Sequence, residues 1–202
     1  MLGLPESVSV KKIIPKKHLY IQGSVGSAEQ KEIDLYIKQI SVVGEISDRT
    51  IPALDTDDEF KAIFFVAAQL KNYECPDKIA EKLFKLINQK FVLILNYENK
   101  LQLVMHYGKL RKSIVKDSSE WNLKITGLSI RQVWENLLSQ IMDITVVQGQ
   151  NIAEAVNIVD RKLKLTKDIK AIEKKMGAEK QPKKKLELRK QLKQLERELE
   201  CL

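Results

Sequence analysis

The stretch "DTDDEFKAIFF" holds the residue types and spacing nearest to a reactive centre in this chain. Asp57 or Asp58 precedes Glu59-x-Lys61, and the lysine stands at the mouth of an apolar run. Carboxylates so placed can hold Mg²⁺, and a lysine beside them can stabilise charge building on a phosphate. E-x-K is a common triplet, however, and both acids here are its immediate neighbours rather than arriving on a separate strand. A polar strand entrance is therefore the plainer reading. The other reactive types are scattered. His18 and His106 stand apart from any other His or Cys, and Cys75 and Cys201 share no spacing motif, so neither a metal centre nor a Cys–His pair is expected. "YIQGSVGSAEQ" sets Gly23 and Gly26 between an expected short strand and a helix start, where N–H groups can cradle a phosphate. It lacks the G-K-[ST] ending of a phosphate-binding loop. No catalytic residue, metal site or cofactor is assigned.

The second chemistry on offer is cationic. Residues 1–150 hold 20 Lys+Arg against 18 Asp+Glu, whereas residues 151–202 hold 15 against 9, so most of the net charge of +8 belongs to the last quarter of the chain. A basic appendage on a nearly neutral body suits an acidic partner, either nucleic acid or an acidic protein face. The candidates for contact are Lys170, Lys174, Lys183, Lys184, Lys185, Arg189, Lys190 and Lys193. No aromatic residue follows Asn151, so base stacking is excluded there and any nucleic-acid contact would be to phosphates. The competing reading is a solvated outer face that only packs or binds protein, because exposed helix faces are normally charged. A smaller basic patch, Lys11, Lys12, Lys16, Lys17 and His18 with Tyr20 nearby, would extend such a surface.

These side chains need elements to position them. From Leu165, apolar residues recur at Ile169, Ile172 and Met176, alternately four and three apart, and the rhythm resumes at Leu188, Leu192, Leu195, Leu199 and Leu202. Gly177 and Pro182 interrupt it, and proline inside a helix removes a hydrogen bond and clashes with the preceding turn. Two helices with matching seams across a short break should fold back as an antiparallel hairpin, a short coiled coil, with the lysines outward. An earlier stripe (Ile152, Ala155, Val156, Val159, Leu163), capped by Asn151 with Glu154, would dock the first helix onto the body.

In the body, "AIFFVAAQL" (Ala62–Leu70) and "FVLIL" (Phe91–Leu95) are continuous apolar runs suited to strands covered on both faces. Between them Ile79, Ala80, Leu83, Phe84 and Ile87 make a one-sided helix behind Pro76, and the connection is long enough for a parallel crossover. "LQLVMHY" follows "NYENK" as an antiparallel neighbour, and "SVVGEIS" and "SSEWNLKITG" are further strand candidates. Leu19–Ile21 reads as an edge strand. Ser27 with Gln30 reads as a capping box opening a helix whose apolar face runs Ile33, Tyr36, Ile37, Ile40. Ser129 with Gln132 reads as a second, before the stripe Ile130, Val133, Trp134, Leu137, Leu138, Ile141. The expected fold class is α/β, a mixed, mainly buried sheet flanked by helices, with residues 1–150 as the body and 151–202 as the basic hairpin.

At 202 residues the chain can bury a core without disulfides or metal. It has no apolar run long enough to span a bilayer and no basic-then-apolar leader, so a cytoplasmic protein with no membrane contact is expected.

Three segments carry a family resemblance. "GLPESVSVKKIIPKKHLY", "LKITGLSIRQVWENLLSQI" and "EKKMGAEKQPKKKLELRKQLKQLERELE" resemble the opening, the Trp-Glu-Asn block and the closing Lys/Glu-rich hairpin of a bacterial family of domains of unknown function. The resemblance implies a protein often encoded beside helicases and DNA methyltransferases in restriction-modification or phage-defence loci, and it supplies no catalytic residues. Three functions are open. The first is a non-enzymatic accessory protein, touching nucleic-acid phosphates through the hairpin and a helicase or methyltransferase subunit through the body. The second is a Mg²⁺-dependent, restriction-endonuclease-like nuclease using Asp57 or Asp58, Glu59 and Lys61. The third is a structural adaptor that pairs with protein or with its own copy.

Overall fold

A computed structural model describes residues 2–146 and 151–202; Gly149, at the expected domain boundary, lies outside them. The chain packs as two compact units, Met1–Asp143 and Ile144–Leu202. In the first unit the order is β1 (Ser9–Ile14), α1 (Lys16–Gln22), α2 (Ser27–Tyr36), β2 (Ile37–Ser47), β3 (Ala62–Leu70), α3 (Asp77–Ile87), β4 (Phe91–Tyr97), β5 (Lys100–Tyr107), β6 (Lys109–Lys112), β7 (Lys116–Asp117) and α4 (Ile130–Met142). The strands described form one mixed sheet, ordered β1-β2-β3-β4-β5-β6 with β7 paired to β5. Only β3 and β4 run parallel, Phe64 opposite Phe91 and Ala68 opposite Leu95, joined across α3; β4 and β5 are antiparallel.

The two apolar runs are the centre of this sheet because they can be buried on both sides. Val66, Ala68, Phe91, Leu93 and Leu95 join Ile79, Ala80 and Leu83 of α3 and Leu19, Tyr20 and Ile33 of α1 and α2 in one core cluster. On the alternate positions Ile63, Phe65, Val92 and Ile94 are also buried, as is the whole predicted stripe of α4. Removing each such side chain from water contributes about 1.5–3 kcal/mol. Ser129 caps α4: its side chain accepts from the Gln132 N–H at 3.2 Å, while the Gln132 side chain accepts from the Leu128 N–H at 2.8 Å.

Several expectations need correction. Leu19–Ile21 is helical, within α1, because Pro15 opens a helix that turns Leu19 and Tyr20 into the core. The first strand lies earlier, at Ser9–Ile14, with four of its six residues exposed and none buried, so its sequence lacks the alternation that marks a half-buried strand. α2 is capped at Gly26, not by the Ser27 side chain, and Gln30 donates to the Val25 carbonyl instead. Ile37 and Ile40, read as helix, belong to β2. "SSEWNLKITG" forms no strand. Trp121 and Leu123 are buried in alternation, but the backbone there is satisfied outside the sheet: Leu123 N–H donates to the Leu2 carbonyl, and Lys124 exchanges hydrogen bonds with the Gln140 side chain.

The second unit contains α5 (Ile152–Ala178) and α6 (Pro182–Glu200), packed against each other as an antiparallel hairpin. Asn151 caps α5 by accepting from the Ala153 N–H at 2.9 Å, and Pro182 occupies the first turn of α6, where its missing N–H costs nothing. Among the described residues no helix is long and apolar enough to cross a membrane.

Candidate functional site

Two of the strand-entrance acids, Asp57 and Glu59, are brought together and each meets a cation, whereas Asp58 has no ion pair among the described residues. Asp57 folds back on its own turn, accepting from the N–H groups of Glu59 at 2.9 Å and Phe60 at 2.7 Å. Arg131, in the first turn of α4, reaches across to Asp57 at 3.0 Å and Glu59 at 3.2 Å. Lys90, just before β4, pairs with Glu59 at 2.9 Å. Both cations also lie over the buried ring of Phe60, with Lys90 Nζ at 4.7 Å and the Arg131 guanidinium carbon at 4.5 Å from its centroid. The Phe60 N–H and Arg131 hold the Asp57 carboxyl below the usual carboxylate range; Lys90, then Arg131, do the same for Glu59. Asp57 beside it pushes Arg131 higher still.

Such a network clamps the start of β3 to α4 and to the start of β4. Mg²⁺ would have to displace Arg131 and Lys90 to use these oxygens. Among the described residues no group of three His, Cys, Asp or Glu is close enough to hold a metal. Sequence reading named the acids but missed Arg131 and Lys90, which lie far along the chain and meet Glu59 only through the fold.

The remaining candidates separate. Cys75 is raised to about 11 by burial, so at neutral pH it is a protonated, weakly nucleophilic thiol. Gly23 ends a helix rather than following a strand, and a Cβ there would stand 2.2 Å from Leu86 Cδ2. A side chain at that position would press on Leu86 of α3. In the N-terminal basic patch Lys16 is spent on Asp34 and on the Ile37 carbonyl.

The hairpin places its cations outward. Leu165 is buried, and Ile169, Ile172, Met176, Leu188, Leu192, Leu195 and Leu199 are half-buried. Lys170, Lys174, Lys183, Lys184, Lys185, Arg189, Lys190 and Lys193 are all exposed. Among the described residues none of these eight forms an ion pair; across the two helices Arg161 pairs with Glu198 at 3.8 Å. Lys183, Lys184 and Lys185 crowd the first turn of α6, the positive end of its dipole.

A family model described as a domain of unknown function, DUF4391, matches residues 2–199. No curated protein and no solved structure matches the chain.

Proposed function

We propose, from the premise that the chain belongs to the DUF4391 family, that it is a non-enzymatic accessory protein that grips nucleic-acid phosphates through its basic hairpin. The observation that carries this reading is the set of eight exposed cations without carboxylate partners among the described residues. Ammonium and guanidinium groups held on rigid helices, and not neutralised within the protein, release counterions from a polyanion on contact. With no aromatic side chain on the hairpin, binding is to backbone and indifferent to sequence. The body would hold a protein partner such as a helicase or methyltransferase subunit of a restriction-modification or phage-defence system, in keeping with the family resemblance.

Fluorescence anisotropy with a labelled duplex tests this. The full chain should bind at low salt, and the combined substitutions Lys183→Glu, Lys184→Glu, Lys185→Glu and Arg189→Glu should weaken binding at least tenfold. Absence of duplex affinity at low salt removes the reading.

A second reading, a structural adaptor, has one observation in its favour: α6 has no fully buried residue, so its leucines keep apolar surface for another helix. Concentration-dependent self-association without duplex affinity would select it. The nuclease reading has its acids already paired with Arg131 and Lys90, and a Mg²⁺-dependent cleavage lost in Glu59→Gln would be needed to restore it.

A further inference from the structure

Beside the ion-paired acids, the starts of β3 and β4, the last turn of α3 and the end of β5 enclose a cleft of about 450 Å³. That volume is in the range of small-molecule sites and suits one nucleotide. Its aromatic wall is ordered from below: the half-buried ring of Phe84 stacks on buried Phe91 at 4.3 Å between centroids, and exposed His106 tilts against Phe84 at 5.8 Å. Asn88 ends α3 in the left-handed conformation, φ 45 and ψ 41. This turn sets the side-chain amides of Asn88 and Gln89 at the cleft, and neither has a hydrogen bond among the described residues. Lys61 lines the same cleft and has no ion pair among the described residues.

The charge balance limits the ligand. Arg131 and Lys90 are engaged with Asp57 and Glu59, which leaves Lys61 and Asp58 as the cleft's charged groups without an ion pair among the described residues. One uncommitted ammonium matches a single phosphate and not a polyphosphate. We propose that this cleft binds one nucleoside monophosphate, either free or as the terminal nucleotide of a strand. The base lies against Phe84 and His106, its polar edge meets the Asn88 and Gln89 amides, the sugar hydroxyls donate to Asp58, and the phosphate takes Lys61. Stacking supplies the area and the amides select among bases, as single bases are held elsewhere. All of these residues belong to the first unit, so the site does not depend on the hairpin.

Calorimetric titration of the full chain with AMP, CMP, GMP and UMP, each beside its nucleoside and beside inorganic phosphate, tests the assignment. At least one monophosphate should bind, its nucleoside about tenfold more weakly. Lys61→Ala should cost about tenfold for the monophosphate and nothing for the nucleoside, whereas His106→Ala should weaken both. Both side chains are exposed, so an unchanged Tm will show that the fold is kept. A 5′-phosphorylated oligonucleotide that competes with the monophosphate identifies a strand end as the source; failure to compete identifies the free nucleotide. The hairpin charge reversals should leave this binding intact, which separates it from the duplex contact. No heat from any monophosphate at millimolar concentration, inorganic phosphate binding as tightly as the nucleotide, or affinity untouched by both variants overturns the proposal.

Discussion

Single residues hold the body together through charges that sequence spacing alone does not reveal. Glu32 of α2 pairs with Lys78 and with Lys82, the latter at 2.6 Å, and so ties α2 to α3. Hydrogen bonds from Lys78 and then Lys82 lower its pKa to about 2 from an ordinary value of 4.5. A carboxylate with a depressed folded-state pKa stabilises fully above its unfolded value, and that contribution disappears as pH falls through the folded value. Glu32→Gln should therefore lower the denaturation midpoint at pH 7, and the gap from wild type should close between roughly pH 4.5 and 2. Urea titrations at several pH values would show it; a gap that persists at the acid end would mean that packing, not charge, accounts for the loss. Like Arg131 with Asp57 and Glu59, this pair is long-range, which is why residue types suggested a reactive site where the fold builds a clamp.

At the scale of elements, α6 is charged against its own dipole. Lys183, Lys184 and Lys185 stand in its first turn, and Glu198 and Glu200 near its last. Each misplaced charge costs about 0.3–1 kcal/mol at an exposed helix end. Lys183→Glu with Lys184→Glu should thus raise the helical content and Tm of the hairpin while weakening duplex binding. Circular dichroism and anisotropy on the same sample would display the opposition; parallel loss of both would mean that the lysines serve the fold. The elements that were legible have strong internal signals: β3 and β4 are uninterrupted apolar runs, α4 has a complete stripe with a cap, and Pro182 opens α6 after a short break, although Gly177, expected to interrupt, is still helical within α5. Those that were not legible depend on neighbours. β1 is an exposed edge held by its pairing with β2. Leu19–Ile21 has the composition of a strand but follows a proline that starts a helix. Trp121 and Leu123 alternate like a strand, but the backbone of Leu123 pairs with Leu2 and that of Lys124 with the Gln140 side chain. The outward face of the hairpin could be read from heptad spacing; the cleft beside Phe84 could not, because Lys61, Asn88 and His106 converge only when β3, α3 and β5 are assembled.

For the whole molecule, the separation of charge sets the salt response. If all eight hairpin cations meet phosphates, the logarithm of the binding constant should fall with the logarithm of salt at a slope of roughly −7, a loss of about four decades in affinity between 50 and 200 mM. Anisotropy across that range would measure it, and a slope near −2 would reduce the contact to a minor patch. The strand order has a different consequence. Because the sheet runs through its six main strands in the sequence in which the chain is made, each new strand docks beside the previous one and none must insert between two already joined. Such a sheet can be laid down progressively as the polypeptide leaves the ribosome, although only the β4–β5 and β5–β6 connections close short loops. The slow closures expected are the two longest connections, through α1 and α2 to β2 and through α3 to β4, so substitutions in these helices should register in the folding rate more strongly than those in β5 and β6.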